Sequence, residues 1–246
     1  MDMLSLFFAE AGKVRWLLIL LLVLMDITAS FALAAEHVAS LTDYFAPDWT
    51  TLYFQAVSLH GMFILPLFAG IFAAFICFYE HKNGAWKQLL TLPFPRWKIY
   101  LSKFLMLVVL LAIAQLAFLA GYLATGNLIH VEGVIPWKTV LTGVTGGWLA
   151  AFPLAMLQIY LSTRFKSFGI ALLFSISAVI PNIVITGFEG FIGAWFPFAP
   201  PYYAMFPQGL PLSPRLEPGS FVLILAFTFL VYLAAGLRHF VRRDWM

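Results

Sequence analysis

The sequence predicts an all-α, polytopic membrane protein with six transmembrane helices. Three observations carry that prediction. The 246 residues are 63% hydrophobic and only 10% charged, whereas a soluble domain carries roughly 25% charged residues. Six apolar runs each approach the ~20 residues that a helix needs to cross the bilayer core at ~1.5 Å per residue. Basic residues gather beside alternate connectors, as membrane orientation requires.

The first element precedes the first crossing. In "MDMLSLFFAEAGKVRW", Leu4, Phe7, Phe8 and Ala11 fall on one helical face, with Asp2, Ser5, Gly12 and Lys13 elsewhere. This periodicity predicts a short interfacial helix. Span one follows near 16–35. Its Ala32-Leu33-Ala34 has the form of a signal-cleavage site, but the long, partly apolar flank and Asp26 inside the run favour a retained span. A charge at mid-span costs ~2.5–3.5 kcal/mol, so Asp26 reads either as a translocation-path or interface residue, or as a structural acid facing another helix.

Span two, near 53–78, holds Gln55, Ser58, His60, Gly61 and Pro66. Gln55 and Ser58 lie three apart and share a face, with His60 rotated off it. They line a polar vestibule or subunit seam, or simply hydrogen-bond between helices. His60 has no second histidine or carboxylate at ligand spacing, and the five histidines are scattered, so no metal site is expected. The single cysteine, Cys77, reads as a small buried hydrophobe.

The connector "YEHKNGAWKQLLTLPFPRWKIYLSKF" runs from Tyr79 to Phe104. Gly84 breaks the second span. Trp86, Leu89 and Leu90 then form an apolar face at i, i+3, i+4. Leu92 precedes Pro93 and is biased away from helix, while Pro95 suits the start of the next segment. The object expected is a short amphipathic helix closed by a proline turn. It serves either as a docking surface or as an interfacial helix anchored in lipid by Trp86. Arg96, Lys98 and Lys103 lead into span three, near 101–124, where they meet lipid phosphates.

Span four, near 139–160, carries Gly143 and Gly147 four apart, a small-residue helix contact. Span five, near 168–187, includes Ser175, Ser177, Pro181 and Asn182; Pro181 removes a backbone hydrogen bond and predicts a kink. Residues 188–219 hold Trp195, Pro197, Pro200, Pro201, Tyr202, Tyr203, Pro207, Pro211 and Pro214. That segment is too broken to span and reads as a re-entrant or interfacial cap. Span six lies near 220–237. No soluble domain fits between the spans, so 1–246 reads as one membrane domain.

Orientation follows the basic residues. Lys13, Arg15, Lys82, Lys87, Arg96, Lys98, Lys103, Arg164, Lys166, Arg238, Arg242 and Arg243 fall on one side, and only Lys138 and Arg215 on the other. Both termini are therefore expected in the cytoplasm. The net charge of +3 is too small to suggest nucleic acid.

The Tyr79–Phe104 connector resembles the first cytoplasmic loop of ABC type 2 transporter permeases. The residues that carry the likeness are Glu80, Gly84, Leu89, Leu90, Leu92, Pro93, Arg96 and Lys103. The wording from Tyr79 through Trp86 to Pro93 is most similar to permeases of lantibiotic-protection and bacitracin-type resistance transporters. The resemblance extends to the interfacial N-terminal helix, six spans, external segment and short basic C-terminus; Pro95 departs from it by stiffening the loop's exit. It implies that the short helix is a coupling helix docking on a separate ABC ATPase subunit, that a second permease copy completes the pore, and that residues 188–219 form an external gate in a bacterial plasma membrane. An exposed Trp86 with Leu89 and Leu90 would supply an apolar anchor, and Glu80 and Arg96 orienting ion pairs.

The chain is not expected to be an enzyme. No G-x-x-x-x-G-K-[ST] is present; Gly12-Lys13 is followed by Val14, and Phe7 stands where the first glycine belongs. ATP and Mg are expected on the partner, with no cofactor held by this chain. An intramembrane enzyme would need acid, base and nucleophile at one depth, and none align. The remaining alternative is a proton-coupled secondary transporter using Asp26 and His60. It gives the Trp86–Leu90 face no purpose and lacks a clear inverted repeat.

Overall fold

The computed structural model describes residues 3–40, 48–82, 84–91, 93–165, 167–187, 190–207 and 217–243. Asp2, Leu92, Lys166, Pro211, Pro214 and Arg215 lie outside them. Every regular element among the described residues is a helix. Helix α1 (Met3–Lys13) precedes the spans, which run Trp16–Glu36, Trp49–His81, Arg96–Leu128, Trp137–Arg164, Phe168–Ile185 and Pro218–Arg242. The fold is thus the all-α, six-span one expected. Spans two and three have 33 residues each, or ~50 Å of helix, and project beyond a ~30 Å hydrocarbon core.

Spans two, three and four are the centre of the bundle, with 67%, 56% and 56% of their apolar windows buried against 22% for span five and 11% for span six. Tyr53, Phe68, Phe72, Tyr100, Phe118 and Tyr122 fill the interior. The outer spans expose large apolar side chains, among them Leu20 and Leu24 of α2 (Trp16–Ser40), Leu173 and Ile180 of span five, and Leu223 and Leu230 of span six. Lipid is the solvent that such faces require.

Span two is not a uniform helix. It joins α3 (Trp49–Leu59) to α4 (Leu65–His81) through a five-residue π turn, His60–Ile64. Pro66 explains the turn. A proline has no N–H for the carbonyl four residues back and crowds it. That carbonyl belongs to Met62, and Asn182 Nδ2 donates to it at 2.7 Å while also reaching Phe198 O at 3.2 Å. A side chain from another span replaces the missing backbone donor, as dry surroundings demand.

The short helix in the connector between spans two and three is α5 (Ala85–Thr91), and span three is α6 (Arg96–Leu128). Span four divides into α7 (Trp137–Ala150) and α8 (Phe152–Arg164) at Ala151, because Pro153 cannot donate within a continuing helix. Span five is α9 (Phe168–Ile185), with Pro181 inside it. Two short helices follow, α10 (Gly190–Gly193) and α11 (Pro200–Met205), before span six as α12 (Pro218–Arg242).

Residues 200–206 fold back into the protein rather than lying as an aromatic belt. Tyr202 and Tyr203 are buried. Tyr53 donates to Met205 O at 3.0 Å, and Tyr203 to Ile185 O at 3.2 Å. Burial pushes the Tyr203 phenol up to about 12, so it remains a donor. Tyr202 packs against Gly61, which lies about 18 Å along span two from Trp49 at ~1.5 Å per residue. This is a re-entrant depth.

Candidate functional site

The expected coupling helix begins after Gly84, whose φ of 70° is a left-handed conformation that only glycine adopts at no cost. In α5 the apolar residues face the protein. Trp86, expected as an exposed anchor, is 5% exposed. Its ring meets Phe240 of α12 edge to face at 5.4 Å, and Lys103 of α6 stands 5.3 Å above it. Trp86 Nε1 donates to His81 Nδ1 at 3.2 Å. His81 Nε2 therefore carries the proton and donates to Ser162 O of α8 at 2.7 Å. One indole thus joins α5 to α4, α6 and α12, and through His81 to α8. Leu89 and Leu90 are half-buried, and the outward surface is Lys87, Gln88, Thr91 and Pro93.

Glu80 does not face outward either. It belongs to a cluster of two acids and two bases with Glu10, Lys13 and Lys103, in which all but the part-exposed Lys13 are buried. Lys103 Nζ lies 2.8 Å from Glu10 and 2.9 Å from Glu80, and Lys13 Nζ lies 3.0 Å and 2.7 Å from the same two. Lys103 also donates to Ile76 O at 3.1 Å. Its side chain is wholly buried, so it does not meet lipid phosphates. The charge balance makes the burial tolerable, because a lone buried ion costs several kcal/mol. The cluster ties α1, α4 and α6 together directly beneath Trp86.

The packed face of α1 follows from this. Leu6 and Glu10, one turn apart, point inward, while Leu4 and Phe8 are each 68% exposed. Of the apolar face read from the sequence, Leu4 and Phe8 are left for lipid, while Phe7 and Ala11 pack against the core. Arg96, expected to pair with a partner, instead donates to Val241 O at 2.8 Å and Arg243 O at 3.3 Å. Arg243 in turn donates to Thr163 O and Arg164 O at 3.0 and 3.1 Å. These bonds satisfy carbonyls at the ends of α12 and α8 that have no helical partner and latch both helices to the start of α6.

A second polar centre lies deep in the bundle. Asp26 of α2 and His60 of the π turn meet, Oδ2 to Nδ1, at 2.7 Å, both essentially unexposed. Ser30 donates to Asp26 Oδ1 at 3.0 Å, and Phe118 stacks on the imidazole at 4.3 Å. His60 thus has the carboxylate partner that its own neighbourhood in the sequence lacks. Gln55 and Ser58 are half-buried, with Ser58 donating to Phe54 O at 2.9 Å. Gly143 and Gly147 make their contact within the chain. A Cβ on Gly143 would strike the Tyr53 hydroxyl and Met205 O, and one on Gly147 the Met205 side chain. The stripe is the seat of α11.

Several of these groups escaped sequence reasoning. Glu10 was not singled out at all, and Lys103 stood only in a basic series and in the loop's family likeness. An available signal was the inward register of Leu6 and Glu10. Among the described residues, no grouping of His, Cys, Asp and Glu is suited to a metal ion.

The chain matches the family model described as ABC-2 family transporter protein over residues 10–182. No curated protein matches it. The matched stretch carries the Glu10–Lys103 cluster, α5, the Asp26–His60 pair, four whole spans and most of the fifth, and the chain belongs to the ABC-2 transporter family as a multi-pass permease subunit, the partner of an ABC ATPase.

Proposed function

We propose that this permease belongs to an exporter in which a separate ATPase, holding ATP and Mg, drives α5. The observation that carries the reading is the burial of Trp86 among α4, α6 and α12. A push on the outward side of α5 at Lys87, Gln88, Thr91 and the half-exposed Leu89 and Leu90 reaches three span ends through one rigid ring. Rigid elements joined by packed side chains carry such coupling. The gathering of twelve basic residues on one side supports cytoplasmic termini, in a bacterial plasma membrane. A second permease copy and lipid share the exposed apolar faces.

The cargo we propose is an antimicrobial peptide, lantibiotic or bacitracin-like, or another amphipathic compound. The likeness of the Tyr79–Phe104 connector to permeases of that kind supports it. Asp26 and His60 do form the pair that a proton-coupled carrier would need. Family membership favours ATP as the energy source, and we assign the pair to joining spans one and two.

The test uses the permease co-expressed with its ATPase. Leu89→Asp with Leu90→Asp leaves membrane insertion intact, lowers ATPase co-purification and abolishes resistance. Normal co-purification with normal resistance would refute the docking role. For the cargo, ATPase activity in proteoliposomes rises with a lantibiotic or bacitracin, and a flat response to both removes that substrate class.

A further inference from the structure

The exposed face of α12 is apolar through Leu223, Phe227, Leu230 and Val231. It continues through Ala234 and Ala235 and ends in Arg238 and Arg242, one turn apart and both exposed. Beside the small Ala235 lies a shallow, open recess lined by Ala235, Arg238, His239, Arg242 and Arg243. Arg243 is engaged with the carbonyls of α8, and Arg164 lies beside it. Among the described residues no carboxylate is paired with Arg164, Arg238 or Arg242. The contrast with Lys13 and Lys103 at the same end is sharp, since those two are matched by Glu10 and Glu80. Like charges at i, i+4 repel, and His239 Nε2 is buried without a hydrogen-bond partner.

We propose that this recess binds the headgroup of an anionic phospholipid. The phosphate lies between Arg238 and Arg242, and an acyl chain runs along the Leu223–Val231 face. Two features favour lipid over an acidic protein. The basic pair continues a face that needs an apolar solvent, and it stands where a span ends and headgroups begin. The phosphate would relieve the repulsion between the two arginines and accept charge-assisted hydrogen bonds from them.

Native mass spectrometry of the full-length permease, titrated with phosphatidylglycerol and with phosphatidylcholine of the same chains, tests this. The unchanged protein binds phosphatidylglycerol in preference. Arg238→Gln with Arg242→Gln weakens that binding about thirtyfold, and Arg242→Gln alone about fivefold, as expected for roughly equal contributions near an anionic surface. Arg238→Lys with Arg242→Lys retains most of it, and Lys138→Gln, at an exposed residue on the opposite side of the membrane, leaves it unchanged. Equal binding of the two lipids by the unchanged protein overturns the proposal. So does undiminished phosphatidylglycerol binding by either glutamine variant. Loss of the co-purifying ATPase with lipid binding intact would assign the recess to the protein partner instead.

Discussion

Lys103 Nζ lies 2.9 Å from a Glu80 carboxylate oxygen, and neither side chain is open to solvent. Each residue stands on a different span, so the pair fixes the end of span two against the start of span three. Removing one partner leaves its counter-charge buried. Lys103→Met is expected to cost about 3–5 kcal/mol. Lys103→Met with Glu80→Gln should cost less than the sum of the single changes. Thermal unfolding of the purified permease in detergent reads both, and simple additivity would show that the cluster does not act as a unit.

Trp86 and Leu89 are expected to fail differently. Trp86→Ala empties a packed site and removes the His81 bond, lowering stability by about 3–5 kcal/mol. Leu89→Asp alone lowers ATPase association with little change in unfolding temperature, because Leu89 is half-exposed. The reverse pattern, a stable Trp86→Ala protein with lost association, would place the indole in the docking surface.

Asp26→Asn retains an acceptor for His60 Nδ1 and is expected to be tolerated. Asp26→Ala strands that buried nitrogen, at about 1–3 kcal/mol, and Asp26→Lys sets a cation beside the imidazole and prevents assembly. Resistance and unfolding temperature should fall together across the series. Lost resistance with unchanged stability in Asp26→Asn would instead point to an obligatory acid.

Asn182 and Pro66 are coupled through the Met62 carbonyl. Asn182→Ala leaves that carbonyl and Phe198 O unpaired, at about 1–3 kcal/mol. In a Pro66→Ala background the residue at 66 regains an N–H, and the same change at Asn182 should cost less. Equal costs in both backgrounds would mean that the asparagine does not stand in for the missing donor.

Gly147→Val drives a side chain into Met205. It is expected to dislodge α11 and lower stability by about 1–3 kcal/mol, the usual cost of overpacking. Gly12→Ala, which meets nothing, is the neutral control in the same unfolding assay.

The spans were legible because a helix in lipid must be apolar over a set length, and that condition is local. The same holds for Gly84, whose left-handed turn marks the start of α5, and for the Gly143–Gly147 stripe. The split of span four was also written locally, in Pro153, although the run was read as unbroken. What local pattern does not specify is which partner a polar side chain meets. Trp86, Leu89 and Leu90 define an apolar face without saying whether protein or solvent covers it, and the ring of Phe240, 154 positions away, packs edge to face on Trp86.

By itself, then, the sequence determined the all-α class, the six crossings, the short helix between the second and third, and the crowding of basic residues at one set of connectors. Only the tertiary structure decided that Glu80 and Lys103 face each other rather than a partner or lipid, that His60 finds Asp26, and that Asn182 serves the carbonyl Pro66 leaves unbonded. The reason is physical. Periodicity and hydropathy are properties of neighbouring residues, whereas the free energy of a buried charge or donor depends on the group placed against it by packing from elsewhere in the chain.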